Sequence, residues 1–284
     1  MTTLNYLLVA LGLLLSLPAW ALLVLTLFAG RRPQPTLSNA SQVPHVAGVA
    51  PPRVAVLVPA HNESVHILPT LRCLQGQLNA GDRLVVIADN CQDDTASLAR
   101  QAGAVVIERH NADLRGKGYA LACGVDALRA DPPDLVVVVD ADCTVSDQGI
   151  AKVAAHCQAT QNPVQMLDLM LAPQGAGLRI RVLEFAWRVK NYIRPLGAYR
   201  LGGACHLMGT GMAIPWQLIA TARLATGHIT EDMKLGVDMA LRGHPTQFFK
   251  DAQVSSLFPT DPVVARAQKS RWEHGHLRTL TEEL

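Results

Sequence analysis

A chain of 284 residues, 49% hydrophobic and 5% aromatic, can hold one large α/β domain plus accessories. The formal charge of +2 gives no signal in either direction about nucleic acid, while the mean hydropathy of +0.18 is high for a soluble protein. Six cysteines, at positions 73, 91, 123, 143, 157 and 205, form no CxxC pair. This argues against a zinc site or disulfide framework and for free thiols in a reducing compartment.

The chain opens on an apolar stretch. Leu4 to Ala29 carries no charge, and it exceeds the roughly 20 residues needed to cross a bilayer. Ala19-Trp20-Ala21 looks like a signal-peptide cleavage site, but the N-terminus lacks a basic region and apolar residues continue beyond it. A retained transmembrane helix over residues 1–30 is therefore expected. Arg31 and Arg32 follow it directly, which places the remainder in the cytoplasm by the positive-inside rule. Residues 31–52, rich in Pro, Ser, Ala and Gln, read as a linker.

From residue 53 strands and helices alternate. Val54–Val58 predicts a buried strand, ended by Pro59-Ala60-His61-Asn62-Glu63, and a helix follows to about Leu78. Arg83–Ala88 predicts a second strand ending in Asp89-Asn90, and Asp93-Asp94-Thr95 opens a helix whose positive end suits acids. Val105–Ile107 is a third strand, then a polar loop from Arg109 to Gly118 precedes a helix to about Arg129. The fourth strand, Leu135-Val-Val-Val-Val139, shows no polar alternation, so it reads as buried on both faces. It runs into Asp140 and Asp142. The β-α-β-α-β-α-β series predicts a doubly wound, mostly parallel sheet. Carboxyl ends of parallel strands share one edge, so Asn62, Glu63, Asp89, Asp140 and Asp142 can converge on one crevice. Two carboxylates there suit a hard divalent cation bridging to phosphate, although an acidic turn after a core strand reads equally well from Asp140 and Asp142 alone. No GxGxxG follows the first strand and no GxxxxGK[ST] occurs.

The second half is less regular. Gly175–Leu201 carries Arg179, Arg181, Arg188, Lys190, Arg194 and Arg200 against Glu184, with Leu178, Val182, Phe185, Val189 and Ile193 at helical spacing. A helix on the cytoplasmic membrane surface and an ordinary helix packed on the sheet fit equally well. Thr230-Glu231-Asp232 opens a helix to about Leu241, where Thr suits an N-cap and acids in the first turn are favoured regardless of function. A last helical stretch, about Pro262 to Arg278, contains Gln268-Lys-Ser-Arg271-Trp272.

In order, Pro59-Ala-His-Asn-Glu63, Asp89-Asn90, Gly116-Lys-Gly118, Asp140-Ala-Asp142, Gly209-Thr-Gly211, Thr230-Glu-Asp232 and Gln268-x-x-Arg-Trp272 resemble a membrane-associated inverting glycosyltransferase of family 2, the group of cellulose, chitin and hyaluronan synthases. The resemblance spans about Val54 to Arg278. It implies a GT-A-type fold, with residues 53–145 as the nucleotide-binding half and 146–284 as the acceptor and catalytic half. Ala60, Glu63 and Asp89 would hold the uracil and ribose of a UDP-sugar, Lys117 would lie beside the nucleotide, and Asp140 would touch it. Asp142 would ligate Mg2+ or Mn2+. Asp232 matches the general base. Gln268 and Arg271 match residues closing over the diphosphate, while Trp272, Gly209, Thr210 and Gly211 would lie at the acceptor.

The implied function is transfer of a hexose or N-acetylhexosamine from a nucleotide sugar to a polysaccharide or glycolipid, at the inner (plasma) membrane and without nucleic acid. One base and no carboxylate nucleophile imply a single inversion. Transfer of one sugar to a polyprenyl-phosphate carrier is the alternative, and a non-catalytic subunit of a synthase complex a third. Synthases continue past QxxRW into several membrane helices, whereas this sequence stops at Leu284; truncation or membrane partner subunits are the corresponding expectations.

Overall fold

The computed structural model describes residues 3–30, 50–259, 261, 266, 270 and 273–275. Helix α1 (Thr3–Gly30) is apolar all round, and its Ala10–Gly30 portion is long and apolar enough to cross a membrane. Strand β1 (Val54–Ala60), α2 (Ile67–Gln75), β2 (Arg83–Asp89), α3 (Thr95–Gln101), β3 (Val105–Arg109), α4 (Lys117–Leu128) and β4 (Leu135–Val138) then alternate as the sequence predicts. After β4 come β5 (Thr144–Val145), α5 (Gly149–Thr160), β6 (Val164–Leu171) and α6 (Leu178–Arg188). A single π-helical turn (Val189–Ile193) joins α6 to α7 (Arg194–Arg200), and β7 (Met212–Pro215), α8 (Trp216–Ile219), α9 (Glu231–Leu241) and β8 (Gln247–Leu257) follow.

The eight strands form one mixed, mostly parallel sheet in the order β3-β2-β1-β4-β7-β6-β8-β5. β3, β2, β1 and β4 are mutually parallel, with Val54 opposite Leu135 and Ala55 opposite Arg83. β7 runs antiparallel to both β4 and β6, β8 is parallel to β6, and β5 is antiparallel to β8. The second half is thus more regular than its sequence pattern, contributing β6, β7 and β8 to the sheet.

Double burial explains the unbroken apolar runs. Val54, Val56 and Val58 of β1 pack with Leu135 and Val137 of β4 against Ile67, Leu71, Leu74, Ile150 and Val153 on one face. Ala55 and Leu57 pack with Val136 and Val138 against Leu121, Val125, Leu128, Leu235 and Met239 on the other. Alternate residues therefore point to opposite but equally dry layers, and burying each large side chain contributes about 1.5–3 kcal/mol. A third cluster (Leu167, Leu169, Leu196, Cys205 and Phe248) receives Ala29 from the end of α1.

Two helix starts differ from their simplest reading. The Asp94 side chain caps nothing; Asp93 instead accepts the Ser64 and Thr95 amide hydrogens and the Thr95 hydroxyl, tying the turn after β1 to the turn after β2. Thr230 makes no side-chain cap bond on α9, and its hydroxyl donates to the Gly275 carbonyl at 3.3 Å.

Candidate active site

The strand ends converge. After β1, His61 Nδ1 lies 2.7 Å from the Asp89 carbonyl, and the Glu63 amide donates to Thr95 Oγ1 at 2.8 Å. Asn62 and Asn90 both take positive φ, 56° and 53°, which Asn tolerates because of its short polar side chain. Asn62 Oδ1 accepts the Gln92 amide and Asn90 Oδ1 the Asn111 amide, so the three turns form one cross-braced rim. His61, Asn62, Asn90, Gln92, His110 and Arg115 line an open cleft of about 250 Å³ at this rim. Ala60, the last residue of β1, is buried. Asp89 is buried and accepts from Arg109 Nη1 at 2.6 Å, so its charge is already matched within the protein. Arg109 also donates to the Leu114 carbonyl, which shapes the loop before α4.

The second cluster forms around Lys117, the first residue of α4. Its Nζ donates to Asp140 Oδ1 and, at 3.0 Å, to the Gly209 carbonyl. Gly209 has φ 89°, and a Cβ there would lie 3.2 Å from Asp232 Oδ2 and 3.4 Å from Lys117 Nζ. Glycine thus serves both a left-handed turn and the close approach of two charged side chains. Burial would lower the Lys117 pKa, but Asp140, Glu231 and Asp232 outweigh it and raise it. The carboxyls respond in kind. Burial, opposed by Lys117 and reinforced by Asp232, pushes Glu231 up to about 7. Asp232 is also raised, first by burial, against the pull of Lys117 and the Met233 amide that donates to its Oδ1 at 2.8 Å.

Asp140 and Asp142 differ in partners. The Asp140 amide donates to Thr210 Oγ1 at 3.1 Å, and its carboxylate holds Lys117. Asp142 is exposed and makes no ion pair among the described residues. Its charge acts on Glu63, whose carboxyl is raised by burial first and by Asp142 second, with His66 opposing. Glu63, Asp140, Asp142, Lys117, Gly209 and Asp232 are therefore gathered at one edge. Thr210 and Gly211 are buried behind it: the Thr210 carbonyl accepts from Gln165, and Gly211 sits against Met166 and Val254. Gln268, Arg271 and Trp272 lie outside the described residues, as does most of the helix expected over 262–278.

Sequence reasoning missed a neighbouring buried pair. Asp168 on β6 accepts from Asn191 Nδ2 in the π-helical turn at 2.8 Å, and Asn191 Oδ1 is buried with no hydrogen-bond partner among the described residues. Burial and then Asp140 push the Asp168 carboxyl up to about 7 despite that bond. A lone acid inside the apolar run Val164-Gln-Met-Leu-Asp-Leu-Met-Leu171 was the available signal.

Comparison with known proteins agrees with this architecture. Residues 51–275 match the family described as glycosyltransferase like family 2. The chain is 24% identical over 241 residues to the probable glycosyltransferase YdaM of Bacillus subtilis (strain 168), covering 79% of this chain and 55% of that protein. It is also 24% identical over 239 residues to an N-acetylglucosaminyltransferase of Rhizobium leguminosarum bv. viciae, covering 80% and 56% respectively. The chain thus spans little more than half the length of these curated relatives. Among solved structures, the mannosyltransferase PcManGT from Pyrobaculum calidifontis, in complex with GDP-Man and Mn2+, superposes with a TM-score of 0.70 at 19% identity, covering 95% of this chain and 73% of that one. With its parallel-dominated sheet, its acidic strand ends and a family match over most of its length, the chain belongs to the family 2 glycosyltransferases and is a glycosyltransferase of GT-A-like fold.

Proposed function

We propose that the chain transfers a hexose or N-acetylhexosamine from a nucleotide sugar, UDP-linked, to a polysaccharide or lipid-linked acceptor with inversion, in the manner of the cellulose, chitin and hyaluronan synthase group. The observation that carries this reading is the meeting of Asp140, Lys117 and Asp232 at Gly209. It sets a group able to take the acceptor proton beside groups able to face a diphosphate. Glu63, Ala60 and Asp89, with the cleft beside them, take the nucleoside end. Asp232 acts as the base: its raised pKa brings it nearer the operating pH, where proton removal is efficient. Lys117 faces the leaving diphosphate, joined by Gln268 and Arg271, while Trp272 and the Gly209–Gly211 loop border the acceptor.

The residues present fit a divalent cation, Mg2+ or Mn2+. Asp142 offers an exposed carboxylate free of ion pairs among the described residues, and Glu63 stands within its field. No three potential ligands cluster among the described residues, so most of the coordination would fall to diphosphate and water oxygens, as hard cations accept. The cation would supply charge neutralisation to the leaving diphosphate. The α1 helix would anchor the chain in the inner membrane with the catalytic domain cytoplasmic, given Arg31 and Arg32 after it.

UDP release from a panel of UDP-hexoses and GDP-Man, with Mn2+ and with excess EDTA, tests the reading. Asp232→Asn should bind UDP as the wild type does and lose turnover; full turnover in EDTA would remove the metal from the proposal. Product mass spectrometry distinguishes a polymer ladder from single addition to a polyprenyl phosphate.

A further inference from the structure

We propose that Arg109 is a positioning residue for donor binding: its guanidinium ties Asp89 to the 110–116 loop and so fixes two sides of the nucleoside site against each other. The proposal rests on the reading above that Asp89 takes the nucleoside end of the donor. Arg109 ends β3 directly opposite Asp89, the last residue of β2, so the parallel pairing sets both side chains on one face of the sheet. The pair is largely enclosed, with 13% of the Arg109 side chain and 10% of the Asp89 side chain exposed.

Three contacts fix the guanidinium. Nη1 donates to Asp89 Oδ1 at 2.6 Å, and Nη2 donates to the Leu114 carbonyl at 2.6 Å. Its Cζ lies 5.5 Å from the centroid of the Tyr119 ring on the first turn of α4, within reach of a cation–π contact. The Asn90 amide donates to the Arg109 carbonyl at 2.7 Å, so the backbone beside the fork is held as well. The Asn90 side-chain amide also donates to Asp89 Oδ1, at 3.0 Å. Both side-chain donors thus fall on Oδ1, and Oδ2 is the oxygen left to accept from an N–H or O–H of the donor. The Leu114 arm acts on the other side of the site: His110, Ala112 and Arg115 of that loop line the open cleft with Asn90 and His61. An ion pair alone would need only the first arm. The second joins the carboxylate to the loop that lines the cleft, and a planar fork can serve both where a single ammonium cannot.

The test is a double-mutant cycle on nucleotide affinity of the full, detergent-solubilised chain, measured by calorimetry with Mn2+ and with UDP or GDP, whichever the wild type binds more tightly. Arg109→Lys keeps a cation beside Asp89 but cannot reach both acceptors, and it should raise the Kd about tenfold. Arg109→Met should raise it further. The donor KM should follow these changes while kcat at saturating donor stays within about threefold of wild type. In an Asp89→Asn background, the effect of Arg109→Lys should shrink to about threefold or less. An undiminished effect there would overturn the positioning role while leaving Asp89 in the nucleoside site, and wild-type affinity in Arg109→Lys would overturn it outright. Arg100→Met removes the exposed pair with Glu108 on the same strand and should leave the Kd unchanged. A comparable rise in that control would mark the Arg109 effect as damage to β3 and overturn the proposal. A wild type that binds neither nucleotide, or an Asp89→Asn variant that binds as the wild type does, would instead defeat the nucleoside-site reading on which the proposal rests.

Discussion

Replacing Lys117 by Met removes a charge while keeping a chain of similar length, and it isolates what the lysine does for the carboxyls around it. Lys117 bonds Asp140 and the Gly209 carbonyl, and Glu231 and Asp232 are close enough to raise its pKa. Breaking a buried ion pair by removing one partner costs about 3–5 kcal/mol; with the Lys117 side chain 23% exposed, the low end, about 3 kcal/mol, applies. For a domain of this size that corresponds to a fall in Tm of about 6–12 °C. The deficit should depend on pH. A carboxyl whose folded pKa exceeds its unfolded value costs stability as pH rises between the two. For Glu231 that window runs from the ordinary glutamate range to about 7 in the wild type. Without Lys117 its upper limit moves higher, and the Asp232 window widens likewise. The Lys117→Met deficit should therefore grow above about pH 7, where Glu231 of the wild type has finished costing stability and that of the variant has not, read from about pH 7 to about pH 9 by thermal melts of detergent-solubilised protein without nucleotide. A deficit constant over that range, or a melt equal to wild type, would refute the electrostatic reading of this cluster.

Asp142→Ala should leave the melt of the nucleotide-free protein within about 0.5 kcal/mol of wild type, since its carboxylate is exposed. The same variant should abolish any Mn2+-dependent gain in UDP affinity; calorimetry with and without Mn2+ decides this. Gly209→Ala must place a side chain at φ 89°, a strain of about 1–3 kcal/mol, with its Cβ 3.2 Å from Asp232 Oδ2. It should lower kcat more than it weakens UDP binding, and unchanged kcat would contradict the placement of Asp232. Asp168→Asn should flatten the pH dependence of stability. In the wild type, stability falls as pH rises from the ordinary aspartate range to about 7, so the variant should gain on the wild type across that interval and hold the gain above it. Parallel melting curves against pH in the two proteins would contradict this.

The first half of the domain was legible in the sequence because its information is local. The Leu135–Val139 run, apolar at every position, reports burial on both faces, and the structure supplies a separate apolar layer for each set of alternate residues. Asp140 and Asp142 follow directly, so their place at the sheet edge needed only the strand's direction. The second half depends on contacts that no window of sequence contains. β7 is four residues long and owes its antiparallel place to β4 on one side and β6 on the other. The Lys117 bond to Gly209 joins residues 92 positions apart. Asp168 is one acid in an otherwise apolar strand, and its significance depends on the π turn that brings Asn191 over it. The amphipathic pattern of 178–193 was visible, but which face the domain would cover was not; Glu184 and Trp187 decide it by packing inward.

The charge balance of the crevice also bears on the metal. Glu63, Asp140, Asp142, Glu231 and Asp232 converge there, and Lys117 bonds Asp140 at the centre of this set. The upward shifts of Glu63 and Glu231 register that excess, because in both a neighbouring aspartate adds to the effect of burial. A nucleoside diphosphate brings further negative charge into the same space. Its approach is unfavourable unless the carboxyls take up protons or a cation enters with it. Proton uptake by Asp232 would remove the base that the proposed transfer requires. A divalent cation at Asp142 relieves the repulsion and leaves Asp232 ionisable, which is the electrostatic ground for expecting donor binding and metal binding to be coupled.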